Sequence, residues 1–243
     1  VAEPLTLLLV VDSIEGLAAL QAEIDDDKRV GLLLDLDAST GRTGVRDNEL
    51  LLRLLDAMQN DARFYFAGVQ HYAGHVMHVP EFEKRRDKSM RAWERLADKF
   101  ALLEQRGMRP QIVTGGGTGT FDIDMTLEYL TDIQVGSYIF MDEEYRQVAG
   151  ANSDRFQGFE LALTVACTAI SQPQPSTITV DGGYKAFASD SVNPVCDALP
   201  DVAFRFAGDE HGVVILPTAD VARGENEASP VTLGQVLEFA VPH

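Results

Sequence analysis

Five times in the first 140 residues an apolar run is followed by a stretch of helical period or a glycine-containing loop, and no other feature limits the possible folds so strongly. A run of β-type residues leading into an amphipathic helix is the signature of β/α units around a parallel sheet. The predicted strands are 5–12, 30–37, 64–71, 111–114 and 133–138. Ser13 stands as an N-cap, with Glu15 in the first turn, for a helix over 13–27. Further helices are expected over 48–60, from Pro80 to about residue 105, and over 125–130. Beyond residue 157 the pattern changes. The stretches 159–170, 176–181, 202–206 and 213–216 read as strands between Gly, Pro, Asn and Asp turns, and 231–243 returns to strand character after a polar loop at 219–229. The expectation is an α/β chain: a barrel-type β/α part over 1–157, then a mainly antiparallel β domain over 158–243.

Charge narrows the partners. Acidic residues outnumber basic ones 38 to 20, for a net charge of −18. Such a surface repels phosphate backbones and anionic lipid, so neither nucleic acid nor membrane is expected as a partner. The front apolar run, Leu7 to Val11, is far short of the roughly 20 residues of a membrane span. No basic segment precedes that run, so no export signal is read there. Cys167 and Cys196 cannot form a disulfide framework, which makes the cytoplasm the expected compartment.

In parallel β/α architectures ligands bind beyond the carboxyl ends of the strands. Four of the five strand-end loops there are unusual. Gly115-Gly116-Gly117-Thr118-Gly119-Thr120 offers approachable backbone N–H groups and two hydroxyls, the means of cradling a phosphate, and no Gly-Lys-Ser/Thr follows to make it a Walker loop. Gly136-Ser137-Tyr138 offers a second set of donors. Arg42 stands between Gly41 and Gly44, where a guanidinium fork can be held toward an oxygen or ring nitrogen. His71, His75 and His78 form the densest titratable group, suited to proton transfer near neutral pH and only weakly patterned for zinc. His243, as a terminal histidine, reads as a tag remnant or a frayed end.

In order, Asp37…Gly41-Arg42-Thr43-Gly44, Gln70-His71-Tyr72-Ala73-Gly74-His75-Val76-Met77-His78, the glycine run and Gln134-Val135-Gly136-Ser137-Tyr138 resemble the D-threonine aldolase and D-serine dehydratase family. The resemblance continues through Asp181-Gly182-Gly183-Tyr184-Lys185-Ala186 and Asp209-Glu210-His211-Gly212 to Val241-Pro242-His243. It implies a pyridoxal-phosphate (PLP) enzyme of the alanine racemase fold, with the present strands matching the fourth to eighth of the family's barrel. It further implies that Gly116, Gly117, Thr118, Gly136 and Ser137 hold the cofactor phosphate with Tyr138 nearby, that Arg42 faces the pyridine ring, and that Tyr72 is the active-site tyrosine. His78 is then the general base toward the substrate hydroxyl, and His243 is a ligand of a divalent metal, Mn2+ or Zn2+. The implied reaction is retro-aldol cleavage of a β-hydroxy-D-amino acid by a homodimer. The alternatives are dehydration of D-serine or D-threo-3-hydroxyaspartate, and an inactive PLP-binding fragment. None of Lys28, Lys84, Lys88, Lys99 or Lys185 matches the context of the family's Schiff-base lysine, and the family's second metal ligand falls two positions after His243. The strand count and the absence of a methionine at Val1 lead to the expectation that the chain is a portion of a longer polypeptide.

Overall fold

Strand β2 (Val30–Asp35) is buried at every position, as expected of a strand covered on both faces in a parallel sheet. The computed structural model of the chain describes residues 6–188, 192–217 and 230–243. It divides into two units, Val1–Gly136 and Ser137–His243.

In the first unit β1 (Leu8–Val11), β2, β3 (Phe64–His71), β4 (Ile112–Gly115) and β5 (Asp132–Ile133) form one parallel sheet in sequence order. That is the expected β/α progression, with β1 and β5 as its edges. Helix α1 (Ile14–Glu23) starts where the sequence placed it, Ser13 Oγ accepting from the Gly16 N–H at 3.2 Å. It ends four residues earlier than expected, before Asp25-Asp26-Asp27, because acidic side chains oppose the negative carboxyl end of a helix dipole. Helix α2 (Asn48–Gln59) buries Leu51, Leu54, Leu55 and Met58, the 3.6-period stripe of a helix laid on a sheet. These side chains join Leu32, Leu34, Leu36 and Val69 in one core, each contributing about 2 kcal/mol of burial.

Three expectations are corrected here. The long charged helix is two, α3 (Phe82–Glu94) and α4 (Ala97–Gln105), joined by a tight turn in which the Leu96 N–H bonds the Trp93 carbonyl at 3.0 Å and both side chains enter the core. The helix expected over 125–130 lies earlier, as the four-residue α5 (Phe121–Asp124). The Thr126 hydroxyl donates to the Ile123 carbonyl at 2.7 Å, a local bond that competes with helix continuation. The strand expected to run to Tyr138 stops at Ile133. Ser137–Ile139 is a 3-10 turn instead, because the Ser137 carbonyl accepts from the Phe140 and Met141 amides at 3.2 and 2.7 Å.

The second unit opens with that turn and the short helix α6 (Glu143–Arg146). Strands β6 (Thr164–Gln174), β7 (Thr177–Val180), β8 (Ala203–Phe206), β9 (Gly212–Ile215) and β10 (Val236–Ala240) make an antiparallel sheet in the order β10-β6-β7-β9-β8. Its inner face packs Cys167, Ile178, Phe187, Cys196, Phe204, Val214 and Phe239. The expected polar loop at 219–229 lies outside the described residues.

Candidate functional site

The loop bearing Arg42 is pinned at its base, beside the carboxyl end of β2. The Val45 N–H donates to the Asp35 carbonyl at 2.8 Å, the Asp37 N–H to the Val45 carbonyl at 3.2 Å, and the Gly44 N–H to Asp12 Oδ2 at 3.0 Å. Arg42 itself is exposed, and its guanidinium carbon lies 5.5 Å from the centroid of the Tyr72 ring, a cation–π pair. Tyr72 follows β3, and its ring also lies against Gly74 and Gly117. Three of the sequence-predicted cofactor residues, Arg42, Tyr72 and Gly117, are thus brought together at the carboxyl ends of β2, β3 and β4.

The glycine run is buried from Gly115 to Thr120. Gly116 adopts φ +65°, a left-handed conformation that favours glycine, and a Cβ there would overlap Asp124 Oδ2. A Cβ on Gly119 would overlap the Met77 carbonyl oxygen. The backbone of the glycine run therefore lies directly on the segment that carries His78. That segment is clamped on both sides. The Met77 N–H bonds the Gly74 carbonyl and the Val79 N–H bonds the Val76 carbonyl, both at 3.2 Å, while Arg85, fully buried on α3, donates to the Val79 and Pro80 carbonyls at 2.8 and 3.3 Å. His78 is half-buried between these clamps.

The three histidines of this run take three different roles. His75 is exposed in a 3-10 turn. His71 is 1% exposed, and its Nδ1–H donates to the Leu36 carbonyl at 3.1 Å, which leaves Nε2 as the lone-pair nitrogen. Its ring packs 5.0 Å from that of Trp93. Burial lowers the His71 pKa below 6.5, against the Leu36 carbonyl and the charges of Asp35, Asp124 and Asp37. A depressed histidine pKa means that the unfolded chain takes the proton first. The His71 contribution is then intact above pH ~6.5 and declines as pH falls, by at most about 1.4 kcal/mol per unit. His71→Gln, which keeps a donor for Leu36, is expected to flatten the stability profile between pH 7.5 and 5.5 in thermal melts. Equal slopes for wild type and variant would refute this role.

Gly136 is exposed at the end of the first unit, and the chain reaches it through the Gln134 N–H on the Gly115 carbonyl at 3.1 Å. Ser137 and Tyr138 belong to the second unit. There they lie in the 3-10 turn rather than at a strand end, and the Tyr138 ring packs 5.4 Å from that of Phe159.

His243 is held in the second unit, not frayed. The Val241 and Pro242 carbonyls accept from the Glu143 and Glu144 amides at 2.9 and 3.1 Å. Asp142, 3% exposed, caps α6 by accepting from the Tyr145 N–H at 2.8 Å, and its other oxygen accepts from His243 Nδ1–H at 3.0 Å. Glu144 Oε2 stands 3.7 Å from the same nitrogen. A carboxylate on Nδ1 fixes the tautomer that presents Nε2 as a lone pair, the arrangement that orients histidine toward a metal. The donor set, imidazole with carboxylate, suits manganese or zinc.

Asp124, Asp142 and Glu144 are residues that sequence reasoning missed. Each had a local signal: Thr120 and Asp124 are spaced i, i+4 behind a glycine turn, and Asp142-Glu143-Glu144 is an N-cap followed by an acidic first turn.

A parallel β/α sheet with its ligand-type residues at the strand carboxyl ends, followed by an antiparallel sheet domain, defines a protein of the alanine racemase-like fold. The chain belongs to the family described as alanine racemase, N-terminal domain, which matches residues 1–144; the putative serine dehydratase domain matches residues 162–243. It is 33% identical over 235 residues to D-threonine aldolase from an Arthrobacter species, covering 96% of this chain and 59% of that protein. It is 32% identical over 212 residues to 3-hydroxy-D-aspartate aldolase of Paracoccus denitrificans (strain Pd 1222), covering 86% and 55%. Among solved structures, D-threonine aldolase from Filomicrobium marinum matches with a TM-score of 0.83 at 27% identity, covering 98% of this chain and 61% of that one. The chain therefore spans between half and two thirds of the length of these relatives.

Proposed function

We propose that the chain is the larger part of a PLP- and divalent-metal-dependent lyase that cleaves β-hydroxy-D-amino acids between Cα and Cβ, as in D-threonine to glycine and acetaldehyde. The observation that carries this reading is the meeting of Arg42, Tyr72 and Gly117 at the strand ends of a chain with this kinship. The glycine run fits a phosphate because its backbone is packed too closely for side chains. In this reading, carried over from the family resemblance, Gly116, Gly117 and Thr118 form the turn that holds the cofactor phosphate, Gly117 by shaping it, with Gly136 and Ser137 as further donors and Tyr138 nearby, while Arg42 faces the pyridine ring and Tyr72 flanks it. When bound, PLP supplies an electron sink for the pair released from the Cα–Cβ bond. His78 takes the β-hydroxyl proton as that bond breaks, and its two backbone clamps hold it for the transfer. His243, oriented by Asp142, and Glu144 would hold the metal, whose chemistry is to polarise the hydroxyl oxygen.

A homodimer follows from the family resemblance, and Mn2+ and Zn2+ are both carried by it. A cytoplasmic setting is the reading carried by a cysteine count too low for a disulfide framework.

The test is an assay of the full-length protein with D-threonine, PLP and Mn2+. Acetaldehyde release that requires PLP and stops with EDTA is expected. Turnover that survives chelation with no bound chromophore overturns the reading. Borohydride reduction followed by mass spectrometry separates an enzyme from a PLP-binding module, since only a cofactor-bearing lysine yields a stable adduct.

A further inference from the structure

We propose that Thr120 and Asp124 are positioning residues for the phosphate cradle, acting as a relay that sets the direction of the glycine-run amides from beneath. The inference takes its ligand from the function proposed above, and its geometry stands independently of that reading.

Asp124 is a carboxylate with 1% of its surface exposed, and three donors converge on it. Ser89 Oγ donates to Oδ1 at 2.5 Å, Trp93 Nε1 to the same oxygen at 3.2 Å, and Thr120 Oγ1 to Oδ2 at 2.5 Å. Ser89 and Trp93 stand one turn apart on α3 and grip the carboxylate from the same helix face. Burial pushes the Asp124 pKa up, and the bonds from Ser89, Thr120 and Trp93 oppose that shift. A hydroxyl has one proton. Thr120 commits it to the carboxylate, the strongest acceptor within reach, which leaves its oxygen to accept from the Gly117 N–H at 3.3 Å. The path Gly117 N–H to Thr120 Oγ1 to Asp124 thereby fixes the peptide plane between Gly116 and Gly117. The Thr120 N–H closes the same turn on the Gly117 carbonyl at 3.1 Å. Gly116 rests on Asp124 Oδ2 with no room for a Cβ, so the loop cannot settle lower.

A buried acid close under an anion site raises the electrostatic cost of binding a phosphate. Its presence is accounted for by geometry: with the Gly117 N–H committed to Thr120 Oγ1 the turn is held in one conformation, and a loop already ordered needs no reorganisation when the anion arrives. Serine in place of Thr120 keeps the hydroxyl relay, whereas valine keeps only the shape.

The experiment compares Thr120→Val and Thr120→Ser in the full chain by two readouts: affinity for PLP and for inorganic phosphate, and hydrogen exchange of the Gly116–Thr118 amides without ligand. Thr120→Val is expected to weaken binding of both probes by about tenfold or more, and to speed exchange by a similar factor, the scale of one lost hydrogen bond to a charged group. Thr120→Ser is expected to stay within about threefold of wild type in both. The proposal is overturned if Thr120→Val matches wild type, or if Thr120→Ser behaves like Thr120→Val, which would show that packing by the methyl group is what matters. If wild type binds neither PLP nor phosphate, the cofactor reading fails by itself, and the exchange readout still decides whether the relay orders the loop.

Discussion

Replacing Gly119 with alanine is expected to lower the melting temperature by roughly 6–12 °C and to weaken PLP binding more than about a hundredfold. The added Cβ would overlap the Met77 carbonyl oxygen, and the Met77 carbonyl carbon and Cα would lie at only 2.8 and 3.0 Å. These are backbone atoms in a segment closed by the bonds at Met77 and Val79 and fixed further by Arg85 on the Val79 and Pro80 carbonyls. With no side chain able to swing away, one of two clamped backbones must move, an overpacking cost of about 3 kcal/mol, which in a domain of this size sets the temperature shift. Gly117→Ala is the internal comparison. There the Cβ meets Met77 Sδ at 2.8 Å, the end of a flexible side chain, so the loss of stability is expected to be clearly smaller. Calorimetric melts of the two variants test the order, and a Gly119→Ala melt within 1 °C of wild type would discard the backbone contact as the cause.

The second large effect concerns the metal. Asp142→Asn keeps the oxygen that caps α6 through the Tyr145 N–H and changes what faces His243. An amide nitrogen turned toward Nδ1–H is a donor against a donor. The imidazole escapes by moving its proton to Nε2, the nitrogen that a metal would need. The expected outcome is a 10- to 100-fold loss of Mn2+ or Zn2+ affinity, the usual scale for losing the carboxylate behind a liganding histidine. Titration calorimetry with each metal on folded protein provides the measurement. Unchanged affinity would mean that Asp142 serves only as a helix cap.

Some of the site was legible because its signal is local. Arg42 between glycines, Tyr72 after a strand and Gly116-Gly117-Thr118 after another are read from strand ends, and the parallel sheet brings Arg42, Tyr72 and Gly117 together. His71 shows where local reading stops. It shares a run with His75 and His78, yet its fate depends on Leu36, 35 residues away, and on Trp93 on a later helix. Gly136-Ser137-Tyr138 reads as a strand end, but the Ser137 carbonyl has two amides to accept from in a turn, and those bonds decided the backbone.

The order of β/α units, the limits of β3, the start of α2 and the switch to antiparallel strands follow from the sequence alone, because hydrophobic period and capping are properties of neighbouring residues. Only tertiary structure decided that Asp124 underlies Gly116, that Met77 bears on Gly119, and that Asp142 reaches His243 across 101 positions. Those contacts join segments whose patterns carry no record of each other, and they are settled by how close two backbones can approach and by where a buried carboxylate finds its donors.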